Sequence, residues 1–304
     1  MLDLGQPPKA TIHAMIQAMK QRFLYGLLLA SLMLSFGCET MAQRAIPDDN
    51  LAYPVLITLG NGSSGSGFYL NTGDAVFLVT AKHVLFDPKT KKLLDPSISL
   101  LSYSRDPTDS TPNQLTVDLT ILQTSAKVKP HPTEDVAVVK LFKLVPPGGE
   151  AKNGVLTQPE VGVKIDGQSK SGLLGVSLEN VKPFSEVLTG NDVMVFGYPS
   201  SLGLQEMREL DLHRPLLRKG IVAGTNPATR SLILDCPSYF GNSGGPVVEI
   251  DRQGFGASLK VVGVISQYVP FVQTGGSQTF IMQLASNSGY SIATPMDFVL
   301  ELVK

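Results

Sequence analysis

No tryptophan and only two cysteines, Cys38 and Cys236, occur in the 304 residues. The missing indole removes one kind of core anchor without favouring a fold class, and two thiols cannot build the disulfide framework of a small secreted domain. Neither sign of charge dominates: 25 Lys and Arg oppose 26 Asp and Glu, and no dense basic run exists to follow a phosphate backbone. Nucleic acid is therefore not an expected partner. Histidine is scarce, at four, and no pair has the spacing of a zinc site such as HExxH, so neither a metal nor a cofactor is expected. What the chain does have is 43% hydrophobic residues, 29 Gly and 21 Pro. That suits many short strands joined by turns, in one large all-β domain or two smaller ones.

The N-terminal stretch reads as an address. Lys20, Gln21 and Arg22 precede an apolar run from Phe23 to Phe36, the basic and apolar regions of an export signal. The run is shorter than the roughly 20 residues a membrane-spanning helix needs. Leu34-Ser35-Phe36-Gly37-Cys38 resembles a bacterial lipobox, which would make Cys38 a lipidation site. Thr40-Met41-Ala42 offers an ordinary signal-peptidase site instead. Both routes stand open, and residues 1–42 are read as the export segment, with 1–18 a candidate over-called start. The expected location is the periplasm, the medium, or the envelope through a lipid anchor.

From Leu51 onward short apolar segments alternate with turn residues. Tyr53–Leu59, Ser66–Leu70, Ala75–Thr80, Ser97–Tyr103, Leu115–Gln123 and Val136–Leu141 are expected strands, parted by Asn-Gly, Thr-Gly-Asp and Asp-Pro turns. A second set is Asp192–Gly197, Arg218–Gly224, Leu232–Leu234, Pro246–Ile250, Leu259–Ser266 and Ser291–Ala293. The expected fold class is all-β, two six-stranded antiparallel barrels over 50–150 and 186–304, with 151–185 connecting them. Thr294 as cap, Pro295 at the first helical position and an apolar stripe from Met296 to Val303 predict a C-terminal helix.

Three residues at strand ends carry candidate chemistry. His83 follows the apolar run Phe77–Thr80, Asp135 precedes Val136–Leu141, and Ser243 lies within Gly241-Asn242-Ser243-Gly244-Gly245-Pro246. Singly, each has an ordinary structural reading: a satisfied histidine, a turn carboxylate, a glycine loop. Together they supply base, orienting carboxylate and nucleophile, and the glycines allow backbone N–H groups to converge. His131, between two prolines, and His213, in the polar stretch 205–214, read as surface-loop residues. Cys236 reads as a small buried hydrophobe beside the serine loop.

These segments resemble the chymotrypsin-like (trypsin-like) serine proteases, in particular the bacterial branch with the HtrA/Deg proteases. Thr80-Ala81-Lys82-His83-Val84 is similar to that family's histidine segment, Glu134–Leu141 to its aspartate segment and Gly241–Val248 to its serine segment. Gly65-Ser66-Gly67-Phe68, Val195–Pro199, Arg218–Val222 and Val262–Ser266 fall in the family's order between and after them. The resemblance implies a catalytic triad of His83, Asp135 and Ser243, an oxyanion hole from the N–H groups of Gly241 and Ser243, and substrate binding by Ser266, Gln267, Tyr268 and Pro237. Asn242 replaces the aspartate that pairs with a newly cut N-terminus in the trypsin branch, so cleavage activation is not expected. Pro237 stands six residues before the serine, where trypsin-type enzymes are acidic, and Tyr268 stands where a glycine keeps a deep pocket open. A small or medium apolar residue before the cut bond is expected. The PDZ domains usual in HtrA proteases are not expected, which suggests a catalytic module alone.

The expectation is a serine endopeptidase acting on polypeptides, on exported or misfolded proteins, with a rate that rises as the His83 imidazole loses its proton. The alternative is a catalytically silent, protease-like lipoprotein that binds peptides or proteins. A membrane is expected as partner only through a lipid anchor at Cys38. Oligomeric state is left open.

Overall fold

The computed structural model describes residues 51–106, 108–145, 156–200, 207–253, 256–277 and 280–304, with three positions before them, Gln17, Lys20 and Gln21. The export-segment features around Cys38 lie outside these residues.

The first sheet is built from β1 (Val55–Leu59), β2 (Ser64–Asn71), β3 (Ala75–Thr80), β4 (Ser97–Ser102), β5 (Asn113–Asp118), β6 (Val128–Pro130) and β7 (Ala137–Val145). The segment expected to be mostly connection adds β8 (Leu156–Pro159), β9 (Val163–Gly167) and β10 (Gly175–Ser177). Pairing runs β6-β7-β3-β2-β1-β4-β5-β9, with β8 on β7 and β10 parallel to β2, so the sheet has ten strands rather than six. The central strands β2 and β3 are buried on both faces, β3 being apolar from Ala75 to Val79, whereas β5 alternates, with Leu115 and Val117 inward. The expected strand Leu115–Gln123 ends at Asp118. There the Asp118 carboxylate accepts a hydrogen bond from Ile121 N–H at 2.9 Å and caps a short helix preceding β6. Numbered in chain order, α1 is Lys82–Leu85 and this capped helix is α2 (Leu119–Thr124).

The second sheet is a closed six-stranded barrel, β11 (Asp192–Gly197), β12 (Leu216–Asn226), β13 (Ser231–Asp235), β16 (Phe280–Pro295), β15 (Gly256–Ser277) and β14 (Pro246–Gln253) in pairing order. The fold is all-β with a C-terminal helix, α3 (Met296–Val303), as expected. The cap differs: Pro295 is the N-cap and no side chain caps the helix, because Thr294 still pairs with Val264 in the barrel. The larger surprise is the β15–β16 hairpin, which runs far past the segments Leu259–Ser266 and Ser291–Ala293.

One apolar cluster joins the two sheets. Phe68, Phe77 and Val138 of the first pack with Met194, Phe196 and Val264 of the second, and with Met296 and Val299 of α3. The site described next lies along this joint.

Candidate active site

His83 sits in α1, one turn of helix that starts where β3 leaves the sheet, and Asp135 stands just before β7. Because β3 and β7 are ladder neighbours, with Thr80 opposite Ala137, their ends bring the two side chains together. The carboxylate holds the histidine twice. Asp135 Oδ2 lies 2.7 Å from His83 Nδ1, and Oδ1 accepts the backbone N–H of His83 at 3.0 Å. Two contacts fix ring position and place the proton on Nδ1, leaving Nε2 as the basic nitrogen. Both side chains remain about one-third exposed, at 37% and 34%.

The serine loop precedes β14 in the other sheet. Asn242, buried, closes it from both sides: its Oδ1 accepts Tyr239 N–H at 3.2 Å and its own N–H donates to the Tyr239 carbonyl at 3.0 Å. The loop is thus organised by an internal amide. Gly241 and Gly244 take φ of +92° and +89°. A Cβ there would lie 2.2 Å from the Tyr198 carbonyl and 2.0 Å from the Ser66 carbonyl, so glycine is demanded twice over.

Two donors are left over. The Phe240 carbonyl accepts Ser200 N–H at 2.7 Å, and across a trans peptide the Gly241 N–H must point the opposite way. Among the described residues neither that N–H nor the Ser243 N–H has an acceptor, and Ser243 Oγ makes no hydrogen bond. A hydroxyl flanked by two unengaged amides can attack a carbonyl and stabilise the resulting oxyanion. His83 and Ser243 line one depression of about 300 Å³, with Gly241, Phe240 and Ser200 on its wall.

On its other side His83 borders a depression of about 480 Å³ shared with Asp135 and Gln267. Of the residues assigned to substrate binding, Gln267 is therefore at the site. Tyr268 packs edge-on against Phe240, ring centres 5.9 Å apart, and Ser266 Oγ donates to the Ile292 carbonyl at 3.0 Å, so only its backbone is available. Pro237 is half-buried and lines neither depression. His131 is a correction: it is buried, not on a surface loop. Its Nδ1 accepts Glu134 N–H at 3.0 Å, Nε2 faces Glu301 at 3.3 Å, and the ring packs on Phe298. His213 is exposed as expected. Lys82 Nζ donates to the His131 carbonyl at 2.8 Å, and desolvation lowers its pKa.

Ser66 is the participant that motif reading did not single out as a site residue. Fully buried in β2, its Oγ donates to the Gly241 carbonyl at 2.6 Å and accepts Tyr198 N–H at 2.9 Å, while its N–H donates to the Ser243 carbonyl at 2.8 Å. Its signal was the small polar residue between Gly65 and Gly67, just before the apolar run Phe68–Leu70.

The family profile described as "Trypsin-like peptidase domain" matches residues 65–263. No curated protein matches the chain. Among solved structures, a serine endoprotease from Yersinia pestis aligns at 16% identity and a TM-score of 0.41, over 83% of this chain and 61% of that one. The chain thus spans less than two-thirds of that protein. Deg5 aligns at 17% identity and 0.45, over 83% of this chain and 87% of that one. A thermostable serine protease, AL20, from an extremophilic microorganism aligns at 10% identity and 0.45, over 82% and 93%.

Proposed function

The chain belongs to the trypsin-like peptidases, and from that premise we propose that it is a serine endopeptidase whose triad is His83, Asp135 and Ser243. The observation that carries the reading is the Asp135 clamp on His83, with Nδ1 at 2.7 Å, in a histidine that shares a depression with Ser243. Ser243 Oγ attacks the peptide carbonyl and passes its proton to His83 Nε2. Asp135 stabilises the imidazolium, and the Gly241 and Ser243 N–H groups receive the oxyanion. His83 then gives the proton to the departing amine, leaving an acyl ester on Ser243. Water repeats the sequence, His83 taking its proton as it attacks the ester, and the acid product leaves with Ser243 restored. An oxyanion donor of this kind is worth about 2.7–4 kcal/mol of transition-state stabilisation.

Export of the protein, through the basic and apolar stretch Lys20–Phe36, and action on exported or misfolded polypeptides belong to the same proposal. Labelling with a fluorophosphonate tests the site: a single adduct on Ser243, absent in Ser243→Ala, is expected. An intact protein that takes no adduct is instead the silent, peptide-binding alternative. The mass of the mature N-terminus after expression in a bacterial host checks export, and a chain that keeps residues 1–42 refutes it.

A further inference from the structure

From Val261 to Met296 the chain carries no Asp, Glu, Lys, Arg or His. This stretch holds the outer part of the β15–β16 hairpin. β15 pairs with β14 only as far as Val264 opposite Pro246. The serine loop continues that side by one step, with Gly244 N–H donating to the Ile265 carbonyl at 2.7 Å and Ile265 N–H to the Gly245 carbonyl at 3.0 Å. Beyond this point, from Ser266 to Ser277, β15 has β16 on one side and, among the described residues, no strand on the other. The open edge therefore begins beside Ser243 and leads away from it for about 40 Å, at 3.3 Å per residue.

Such an edge is ordinarily blunted by charge, because unpaired N–H and C=O groups invite any extended chain. Here charge is missing, and an apolar surface replaces it. Phe271, Leu284 and Met282 share one face by register, since Phe271 pairs Ser286, Gln273 pairs Leu284 and Gly275 pairs Met282. They are 53%, 58% and 59% exposed. Phe240 and Tyr268, in edge-on contact, expose further apolar rings at the serine loop, where the edge begins. Pro270 interrupts the donors once, as a proline in a strand does at an edge.

We propose that the hairpin edge past Tyr268, along Val269–Ser277, is an extended substrate site that takes the uncharged, partly apolar stretch of polypeptide preceding the cut bond as an added antiparallel strand. The occupant follows from continuity with the serine loop. A strand in line with β14 and antiparallel to β15 runs towards Ser243, so the residues along the edge are those N-terminal to the bond. Main-chain hydrogen bonds supply affinity, and the lack of any counter-charge selects against charged segments. The proposal rests on Ser243 being the nucleophile.

The test uses the intact protein and peptides with one constant cleavable core. One peptide carries only the few residues that Ser266–Tyr268 serve, a second adds about eight uncharged apolar and polar residues at its N-terminus, and a third carries aspartates or lysines within that extension. The uncharged extension is expected to raise kcat/KM about tenfold or more, mainly through KM, and the charged one to cancel the gain. N-methylation of alternate extension amides is expected to abolish the gain in one register and spare it in the other. Equal cleavage of short and extended peptides overturns the proposal. So does a stable dimer in which a second copy covers the edge and the extension brings no gain at any protein concentration. A protein that labels with fluorophosphonate yet ignores the extension refutes the edge alone. One that does not label refutes the reading of Ser243.

Discussion

Ser66 Oγ lies between two backbone groups, the Tyr198 N–H just after β11 and the Gly241 carbonyl of the serine loop. Replacing it with alanine leaves Tyr198 N–H and the Gly241 carbonyl buried and unpaired, at a cost of about 1–3 kcal/mol for each group. The Gly241 carbonyl sits in the loop that carries the proposed oxyanion donors, so Ser66→Ala is expected to lower kcat/KM about tenfold to a hundredfold, chiefly in kcat. Fluorophosphonate labelling of Ser243 should slow in parallel while the fold persists by circular dichroism. An unchanged labelling rate would show that Ser66 only holds the sheets together. Cys236 gives a prediction in pH. Burial pushes its thiol up to about 11, from an ordinary 9.0, so the folded state holds the proton more tightly than the unfolded chain. The resulting stability is present below the unfolded value and is lost as pH climbs through the folded one. Urea midpoints should therefore fall between pH 9 and 11 in the native protein and fall less in Cys236→Ala. Iodoacetamide should leave Cys236 unmodified at pH 8 until urea is added.

Elements are where reading by pattern succeeds unevenly, and the reasons are physical. β3 and β7 were legible because each opens on or consists of an apolar run flanked by turns, Ala75–Val79 and Ala137–Val139, and the residues at their ends, His83 and Asp135, came with them. The end of β5 was not, since Leu119 and Leu122 extend the apolar pattern after a capping aspartate has already turned the chain into α2. The outer hairpin was missed because both its faces are exposed, so no alternation marks it, and Pro270, Gly275 and Gly276 read as breakers. The loop geometry at Gly241–Gly245 could be anticipated from its glycines, but not the carbonyl of Phe240 held by Ser200. The segment before β11 shows what lay furthest out of reach. Lys182, nearly buried, meets Glu249 of β14 at 3.2 Å and Asp251 at 3.4 Å, and Asn191 donates to Glu249 Oε1. Contacts 58 to 69 residues apart leave no local trace. Removing the cation leaves the wholly buried Glu249 carboxylate uncompensated, which typically costs about 3–5 kcal/mol. Lys182→Met should therefore destabilise strongly in urea, and Lys182→Met with Glu249→Leu should recover most of the loss. A double variant no better than the single one would mean the pair contributes packing rather than charge balance.

At the scale of the whole molecule, the two sheets share a core and divide the candidate chemistry between them. His83 and Asp135 belong to the first, and Ser243 with its two free amides to the second. Phe68 of β2, fully buried, packs in the cluster that includes Met194 and Phe196 of β11, Val264 of β15 and Met296 of α3. Ser66, two residues earlier on β2, bonds the serine loop itself. A loosened joint therefore disturbs core and site together, and neither sheet can keep a working half. Truncating Phe68 to alanine should cost about 3–5 kcal/mol by cavity formation. For a chain of this size that lowers the melting temperature by about 6–20 °C, at 2–4 °C per kcal/mol. The change in heat capacity, the loss of near-ultraviolet dichroism and the loss of fluorophosphonate labelling should fall on one transition in both the native protein and Phe68→Ala. If calorimetry resolves two transitions, with labelling lost in the first while half the enthalpy remains, the sheets fold as separate units and the shared cluster does not couple them.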